Sequence, residues 1–159
     1  MSPVEDALSF VKPLVGDNVK MLESFRVKMV EEYRCWFDDS INTLGIGTGP
    51  VEPRIMVHEL GHAIEDSSPQ IKAKMLDYLG RRTKGLKAIH PSGPGWDADE
   101  MFIKDKFADK YFGKVAPAGE RYTEVLSMSL QKIYEDPAAF LREDPETFHF
   151  VTALLRGET

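Results

Sequence analysis

Residues 55–64 of this 159-residue chain read Ile55-Met56-Val57-His58-Glu59-Leu60-Gly61-His62-Ala63-Ile64. The two histidines are four residues apart, and on an α-helix that spacing returns a side chain to nearly the same face. Two imidazoles on one face can bind one metal ion, and zinc favours such nitrogen ligands. Glu59 follows the first histidine directly, so its carboxylate reaches the same side without occupying the metal. The pattern therefore predicts a metal-binding helix at this point of the chain.

The residues around the two histidines strengthen this interpretation. Residues 60–64 carry no acidic or basic side chain apart from His62, and the apolar residues here would form a buried side of the helix. The chain has four histidines, and two of them fall in this window of five residues. The alternative is a chance pair of packing or surface histidines, which a buried helix with both on one face makes improbable.

A carboxylate beside such a metal has a specific use. Catalytic zinc sites keep one position for water, and Glu59 could take a proton from that water and pass it to a leaving amine. A purely structural zinc site needs no such base. The sequence therefore predicts hydrolytic chemistry with Glu59 as the general base.

A third protein ligand is required, and the residues leave several candidates open. His90 lies in an irregular segment, and His149 lies in a terminal helical pattern. Glu120 and Glu124 are one turn apart, in or just before a helical pattern at residues 122–135. Helical periodicity turns Glu124 away from the aliphatic stripe of that helix, which by itself predicts a solvated carboxylate. Spacing alone does not choose between Glu124, Glu120 and His90.

Hydrophobic periodicity predicts an α+β fold that is mostly helical, with a small sheet at about residues 34–48 packed on the helix of the two histidines. The length favours a single domain over residues 1–159, with an N-terminal helical segment at residues 1–33 and a catalytic core at residues 34–155. Helical patterns occur at residues 3–12, 17–33, 53–66, 69–82, 99–111, 122–135 and 145–155.

Composition and charge exclude some kinds of partner. The net charge is −6, and both nucleic-acid backbones and anionic membranes reward a basic surface. No apolar run approaches the roughly 18 residues of a membrane span, and the N-terminus lacks the layout of a signal peptide. A single cysteine, Cys35, excludes an internal disulfide. We therefore expect a soluble protein, cytoplasmic or virion-associated, that binds neither nucleic acid nor membrane.

Two segments resemble a known family. Residues 55–65 resemble the active-site helix of zincin metallopeptidases. The segment Tyr122-Thr123-Glu124-Val125-Leu126-Ser127-Met128 resembles the second metal-binding helix of the gluzincin branch, which includes the catalytic domain of anthrax lethal factor. The resemblance covers about residues 34–155. It implies a zincin-like fold, one Zn²⁺ ion held by His58, His62 and Glu124, and hydrolysis of a peptide or protein substrate.

The resemblance also implies where a substrate lies. In this family the edge strand before the active-site helix binds substrate in extended form, and residues 41–48 occupy the matching place. Thr43, Gly45 and Gly47 are then the substrate-binding residues, because glycines on one strand face let another backbone approach. The loop at residues 90–96 would form part of the cleft wall.

A tyrosine near the third ligand commonly donates a hydrogen bond to the tetrahedral oxyanion in this family. Tyr122 is the first candidate for this catalytic role, and Tyr111 is the second. Packing of either ring in the core is the alternative.

The tail of the chain carries a further resemblance. Residues 134–137 and 144–148 are similar to the tails of zincin-like domains in phage and prophage proteins. They favour, as an alternative, a non-catalytic structural or interaction module of a phage or prophage particle, within a larger protein or assembly. The intact Glu59 favours the peptidase.

Overall fold

The helices of this chain begin at prolines. In the computed structural model, which describes residues 1–15, 22, 24–93 and 96–158, five of the six α-helices have proline as their first residue. A proline suits this position because its missing N–H would have no partner in the first turn. Their bounds are α1 Pro3–Val15, α2 Pro53–Ser67, α3 Pro69–Arg82, α5 Pro137–Glu143 and α6 Pro145–Leu155, whereas α4, Val125–Glu135, begins without one.

Short polar side chains fix the starts of three of these helices. Ser68 accepts a hydrogen bond from the Ile71 amide before α3. Asp136 caps α5 and Asp144 caps α6 in the same way. Such caps each stabilise a helix by about 1 kcal/mol, because they satisfy amide groups that have no partner inside the helix.

A three-stranded sheet packs beside α2. It consists of β1 (Arg26–Met29), β2 (Trp36–Asp38) and β3 (Thr43–Ile46), in the order β1-β3-β2. β3 is therefore central, parallel to β1 and antiparallel to β2, and all four of its residues are buried. A second sheet pairs β4 (Ala88–Ile89) with β5 (Phe102–Ile103), and a 3-10 helix follows at Lys110–Gly113.

Helix α2 lies at the centre of the core, in contact with α1, α3, α4 and β2. Its apolar residues are buried together with side chains of α1, of β3 and of α4, as the sequence pattern of α2 predicts. Because this apolar face is buried, the orientation of α2 is fixed. The opposite face of the helix carries the two histidines. The fully buried residues of the cluster include Val11, Leu44, Met56, Leu60, Ile64, Met75, Leu126 and Leu130.

The predicted fold class is confirmed, because the chain is α+β and mostly helical with a small sheet. Two predicted helices are wrong. Residues 26–29 of the predicted helix 17–33 form β1, so the sheet extends beyond residues 34–48, while residues 17–21 and 23 lie outside the described residues. Residues 99–111 contain β5 and the beginning of the 3-10 helix. No helix of the described part of the chain is long and apolar enough to cross a membrane.

Candidate metal centre

The two histidines of α2 and one carboxylate of the α4 region converge. The rings of His58 and His62 lie with their centroids 5.0 Å apart. His58 Nε2 is 3.2 Å from Glu124 Oε2, and His62 Nε2 is 3.1 Å from the same oxygen. One potential ligand atom from each residue lies within 4.8 Å of the other two, so the three form a group that can hold a metal ion.

Glu124 is the N-cap residue of α4, directly before the first residue of the helix. Helical periodicity predicted a solvated side chain, but Glu124 is 3% exposed. Its Oε2 also accepts a hydrogen bond of 3.1 Å from Ser127 Oγ. Glu124 lies on the same side of α4 as Ser127 and Met128, and this side is buried because α2 packs against it.

A close approach of two helices brings the ligands together. A β-carbon on Gly61 would lie 2.4 Å from Ser127 Cα, which is shorter than any real contact of this kind. Gly61 therefore lets the start of α4 lie against the face of α2 that carries the histidines. The small Ser127 side chain contributes to this approach.

The three donors fit a single divalent ion. A tetrahedral zinc ion with bonds of about 2.0–2.1 Å holds its ligand atoms about 3.3 Å apart. The two nitrogen-to-oxygen distances of 3.2 and 3.1 Å are close to this spacing. The side chains of His58 and His62 are 13% and 16% exposed, so the group opens on one side to solvent. Such an opening is required if a fourth position is to be reached by water.

The contacts between Glu124 and the two histidines also shift the pKa values of the group. Burial by itself disfavours a protonated His62, but the hydrogen bond and charge of Glu124 raise its pKa to about 9. Burial likewise acts against an ionised Glu124, yet the hydrogen bonds from His58 and His62 hold the pKa of this carboxyl well below its usual range. Ionised Glu124 and protonated His62 therefore stabilise each other before any metal binds.

Glu59 lies beside this group, on the floor of a cleft. Its side chain is 9% exposed, and burial raises its pKa above the ordinary value. A carboxylate with a raised pKa is a stronger base, and a pKa that lies closer to neutral pH suits proton transfer. The position and the electrostatics of Glu59 are those that a general base requires.

The cleft has a volume of about 700 Å³ and runs between β2 and the segment before α4. A second depression of about 340 Å³ adjoins it, because the two share residues that include His58, Glu59 and Tyr111. The second depression is lined by the apolar side chains of Ile55 and Met128. The two depressions therefore adjoin beside the candidate metal centre.

Both candidate tyrosines line the cleft. The Tyr122 ring lies edge-on to His62 at 5.9 Å, and the Tyr111 ring lies edge-on to His58 at 6.2 Å. Lys114 donates a hydrogen bond of 3.1 Å to the Tyr111 hydroxyl. Sequence analysis missed Lys114, since a lysine in an irregular segment carries no local signal of burial. Its half-buried ammonium also lies 3.2 Å from Glu100 Oε1.

The predicted substrate strand is wrong. Residues 43–46 are paired on both sides, so this strand has no free edge for a peptide. A β-carbon on Gly45 would lie 2.3 Å from the Trp36 ring, and one on Gly47 would lie 2.5 Å from the Arg34 carbonyl oxygen. Thr43, Gly45 and Gly47 therefore pack within the sheet, where no free strand edge is open to a peptide. Strand β2, with one free edge, lines the cleft instead.

The other third-ligand candidates lie elsewhere. His90 is exposed, and its Nε2 contacts the Asp97 carbonyl oxygen at 3.1 Å. His149 is exposed and contacts the Phe148 ring. Glu120 lines the cleft but does not belong to the ligand group. Among the described residues, the loop at residues 90–96 is absent from the cleft wall.

No protein-family model, curated protein or solved structure matches this chain. The functional assignment therefore rests on the residues of the centre and on their chemistry.

Proposed function

We propose that this protein is a zinc-dependent peptidase. The observation that carries the proposal is the convergence of His58, His62 and Glu124 beside a buried Glu59, on the floor of an open cleft. A binding site that only stabilised the fold would need neither the open side nor the additional carboxylate. Two imidazoles and one carboxylate are also a donor set that catalytic zinc sites use.

The types of ligand favour zinc over magnesium and calcium. Imidazole suits zinc, copper, iron and nickel, whereas magnesium and calcium prefer oxygen ligands only. A three-residue set with one open side corresponds to a hydrolytic zinc centre. When bound, the ion would supply a Lewis acid that polarises the scissile carbonyl and acidifies water.

The side chains of the site would each have a separate role in the reaction. Glu59 accepts a proton from the attacking water and later donates it to the amine that leaves. Glu124 and the two histidines would hold the ion. Because Glu59 is buried, its raised pKa helps it to retain the proton until the amine departs.

A tyrosine hydroxyl would stabilise the negative charge that develops on the carbonyl oxygen. Tyr122, which the sequence favoured, and Tyr111 both line the cleft. The hydrogen bond from Lys114 gives better support to Tyr111, because an ammonium that donates to the phenolic oxygen leaves the hydroxyl proton free to point elsewhere. Burial raises the pKa of Tyr111, and the hydrogen bond from Lys114 acts against this rise.

The substrate would be a peptide in extended conformation along the free edge of β2. This strand lies at the border of its sheet, and Trp36, Phe37 and Asp38 all line the cleft. Backbone hydrogen bonds to an added strand give affinity that is largely independent of sequence. Side chains of the peptide would then fill the two adjoining depressions.

The experiment compares wild-type protein with Glu59→Gln on a diverse peptide library after loading with zinc. The variant preserves the shape of the side chain and removes its basicity, so we expect unchanged zinc content and a loss of cleavage of at least 100-fold. Equal cleavage by the variant would remove Glu59 from the mechanism. If zinc-loaded wild type cleaves no peptide, the non-catalytic module becomes the better assignment.

A further inference from the structure

Glu65 connects α2 to the residue that precedes the third ligand. Its side chain is 1% exposed, and Oε1 accepts a hydrogen bond of 2.8 Å from the Thr123 amide. Oε2 accepts a second hydrogen bond, of 2.9 Å, from Thr123 Oγ1. One carboxylate therefore holds both the backbone and the side chain of a single residue, 58 positions away in the sequence.

Thr123 passes this constraint to the start of α4. Its Oγ1 accepts a hydrogen bond of 3.2 Å from the Val125 amide. The residue between them is Glu124, whose backbone is thus fixed on both sides. A change at Glu65 would alter the position of Glu124 without touching the carboxylate that faces the histidines.

The location of Glu65 makes this connection relevant to the centre. Glu65 follows His62 by three residues, so the two lie on neighbouring turns of one side of α2. A single helix therefore presents two ligand side chains and the anchor of the third. Any movement of α4 relative to the histidines must stretch the hydrogen bonds at Thr123.

His58 has less support than Glu124 from hydrogen bonds to residues outside the ligand group. In known metal sites the second ring nitrogen of a ligand histidine usually donates to a carboxylate or carbonyl. His58 Nδ1 is buried, and no described residue offers it a hydrogen-bond partner. The backbone of Glu124, in contrast, is fixed on both sides by the hydrogen bond from the Val125 amide to Thr123 Oγ1.

We propose that Glu65 is a positioning residue of the metal centre, which sets the distance of Glu124 from the two histidines through its hydrogen bonds to Thr123. This inference rests on the proposed metal-binding function. In this role Glu65 maintains metal affinity and ligand geometry. A residue that only stabilised the fold would affect neither in the folded protein.

The test measures the zinc dissociation constant by competition with a chelator for wild type, Glu65→Ala, Thr123→Val and Thr123→Ser. Loss of outer hydrogen bonds to a ligand typically weakens metal binding 10- to 100-fold, so we expect about that loss for Glu65→Ala and about tenfold for Thr123→Val. Thr123→Ser keeps the hydroxyl and should bind zinc like wild type. Thr123→Val retains the shape of the residue, so it keeps the test decisive if Glu65→Ala does not fold.

Two further measurements separate positioning from stability. Urea unfolding in the presence of chelator gives the free energy of unfolding of each metal-free variant. The visible absorption of the Co²⁺-loaded proteins reports ligand geometry, and we expect it to change in Glu65→Ala and Thr123→Val but not in Thr123→Ser. Wild-type zinc affinity and an unchanged Co²⁺ spectrum in the two disruptive variants would overturn the inference. Failure of wild type itself to bind zinc would instead overturn the proposed function, and the inference with it.

Discussion

Gly61 of α2 lies directly against the backbone of Ser127 in α4, where a β-carbon would come within 2.4 Å of Ser127 Cα. We expect Gly61→Ala to destabilise the protein by about 1–3 kcal/mol, because the two helices must separate to admit a methyl group. Separation also moves Glu124 away from the histidines, so zinc affinity should fall. Urea unfolding and chelator competition measure the two effects.

Gly80→Ala is the matched control for this prediction. Gly80 lies in α3, and a β-carbon there would meet nothing within 4 Å. Alanine in such a helical position should stabilise the protein by about 0.5–1 kcal/mol and leave zinc affinity unchanged. If Gly61→Ala behaved like Gly80→Ala, the close helix approach would not be a constraint on the fold.

The ligand assignment predicts the zinc content of single variants. Wild type should bind one equivalent of zinc, whereas His62→Ala and Glu124→Ala should lose it during dialysis against a weak chelator. His90→Ala is the control, since His90 is exposed and lies outside the ligand group. The zinc content of the dialysed proteins, measured by metal analysis, tests the ligand assignment. Zinc lost from His90→Ala and retained by Glu124→Ala would show that the third ligand is misassigned.

The metal-free protein should lose stability as the pH rises above neutrality. The pKa of His62 is raised from 6.5 to about 9 in the folded chain, so its protonated form stabilises the fold fully below pH 6.5. This contribution, about 3 kcal/mol from the size of the shift and shared with Glu124, disappears between pH 6.5 and 9. Burial raises the pKa of Glu65 to about 7, which adds a loss of stability in the same direction from pH 4.5 upward.

Zinc should abolish most of this pH dependence, because a metal ligand must be a deprotonated histidine. Chemical unfolding at pH 6 and pH 9, with chelator and with excess zinc, measures the difference. We expect the chelated protein to be clearly less stable at pH 9 and the zinc-loaded protein to show little decline. A metal-free protein that is equally stable at both pH values would contradict the ion pair between His62 and Glu124.

The two tyrosines of the cleft can be separated by removal of their hydroxyl groups. Tyr111→Phe should lower kcat about 100-fold or more, with a small change in KM, if Tyr111 stabilises the oxyanion. Tyr122→Phe should have the smaller effect. The kinetics of a cleaved peptide, measured at equal zinc content, decide between them. The reverse order would return the role to Tyr122, as the sequence first indicated.

A buried arginine away from the centre supports the fold. Arg82 is 6% exposed, and it donates hydrogen bonds of 2.6 Å to Asp105 and 2.7 Å to Asp144. Arg82→Ala removes the cation that neutralises the buried Asp144 carboxylate, so we expect a loss of about 3–5 kcal/mol of stability. The neighbouring Arg81 is exposed and pairs with exposed Asp77, so Arg81→Ala should change the melting temperature little. Similar melting temperatures for both variants would contradict the difference in burial.

The parts of the fold that the sequence predicts well are those that local patterns determine. Helix α2 combines a proline start with an apolar side, and α3 and α6 have a proline preceded by a capping residue. Each of these features acts within a few residues. The spacing of His58, Glu59 and His62 is also local, so this half of the centre could be predicted from the sequence alone.

The errors concern contacts between distant residues. Residues 26–29 fit a helical period, but they form a strand because β3 provides a parallel partner that no local pattern reveals. The same pairing makes β3 central and leaves β2 at the edge, which reverses the predicted role of residues 43–47. Periodicity places Glu124 on the side of α4 that carries Ser127, but no local pattern reveals that α2 covers this side. The resemblance to a family of metallopeptidases selected Glu124 correctly for the ligand group.

The hydrogen bonds between Glu65 and Thr123 span 58 residues, and the chain between them contains α3, the second sheet and the 3-10 helix. During synthesis, both histidines therefore leave the ribosome long before the third ligand exists. A nascent chain that ends before Glu124 can offer a metal only two ligands on one helix. Tight capture of the ion must wait until the intervening segment has folded and α4 has docked. Proteolytic cleavage within that segment would leave the ligands on two fragments, and retention of the ion would then report whether the fragments remain associated.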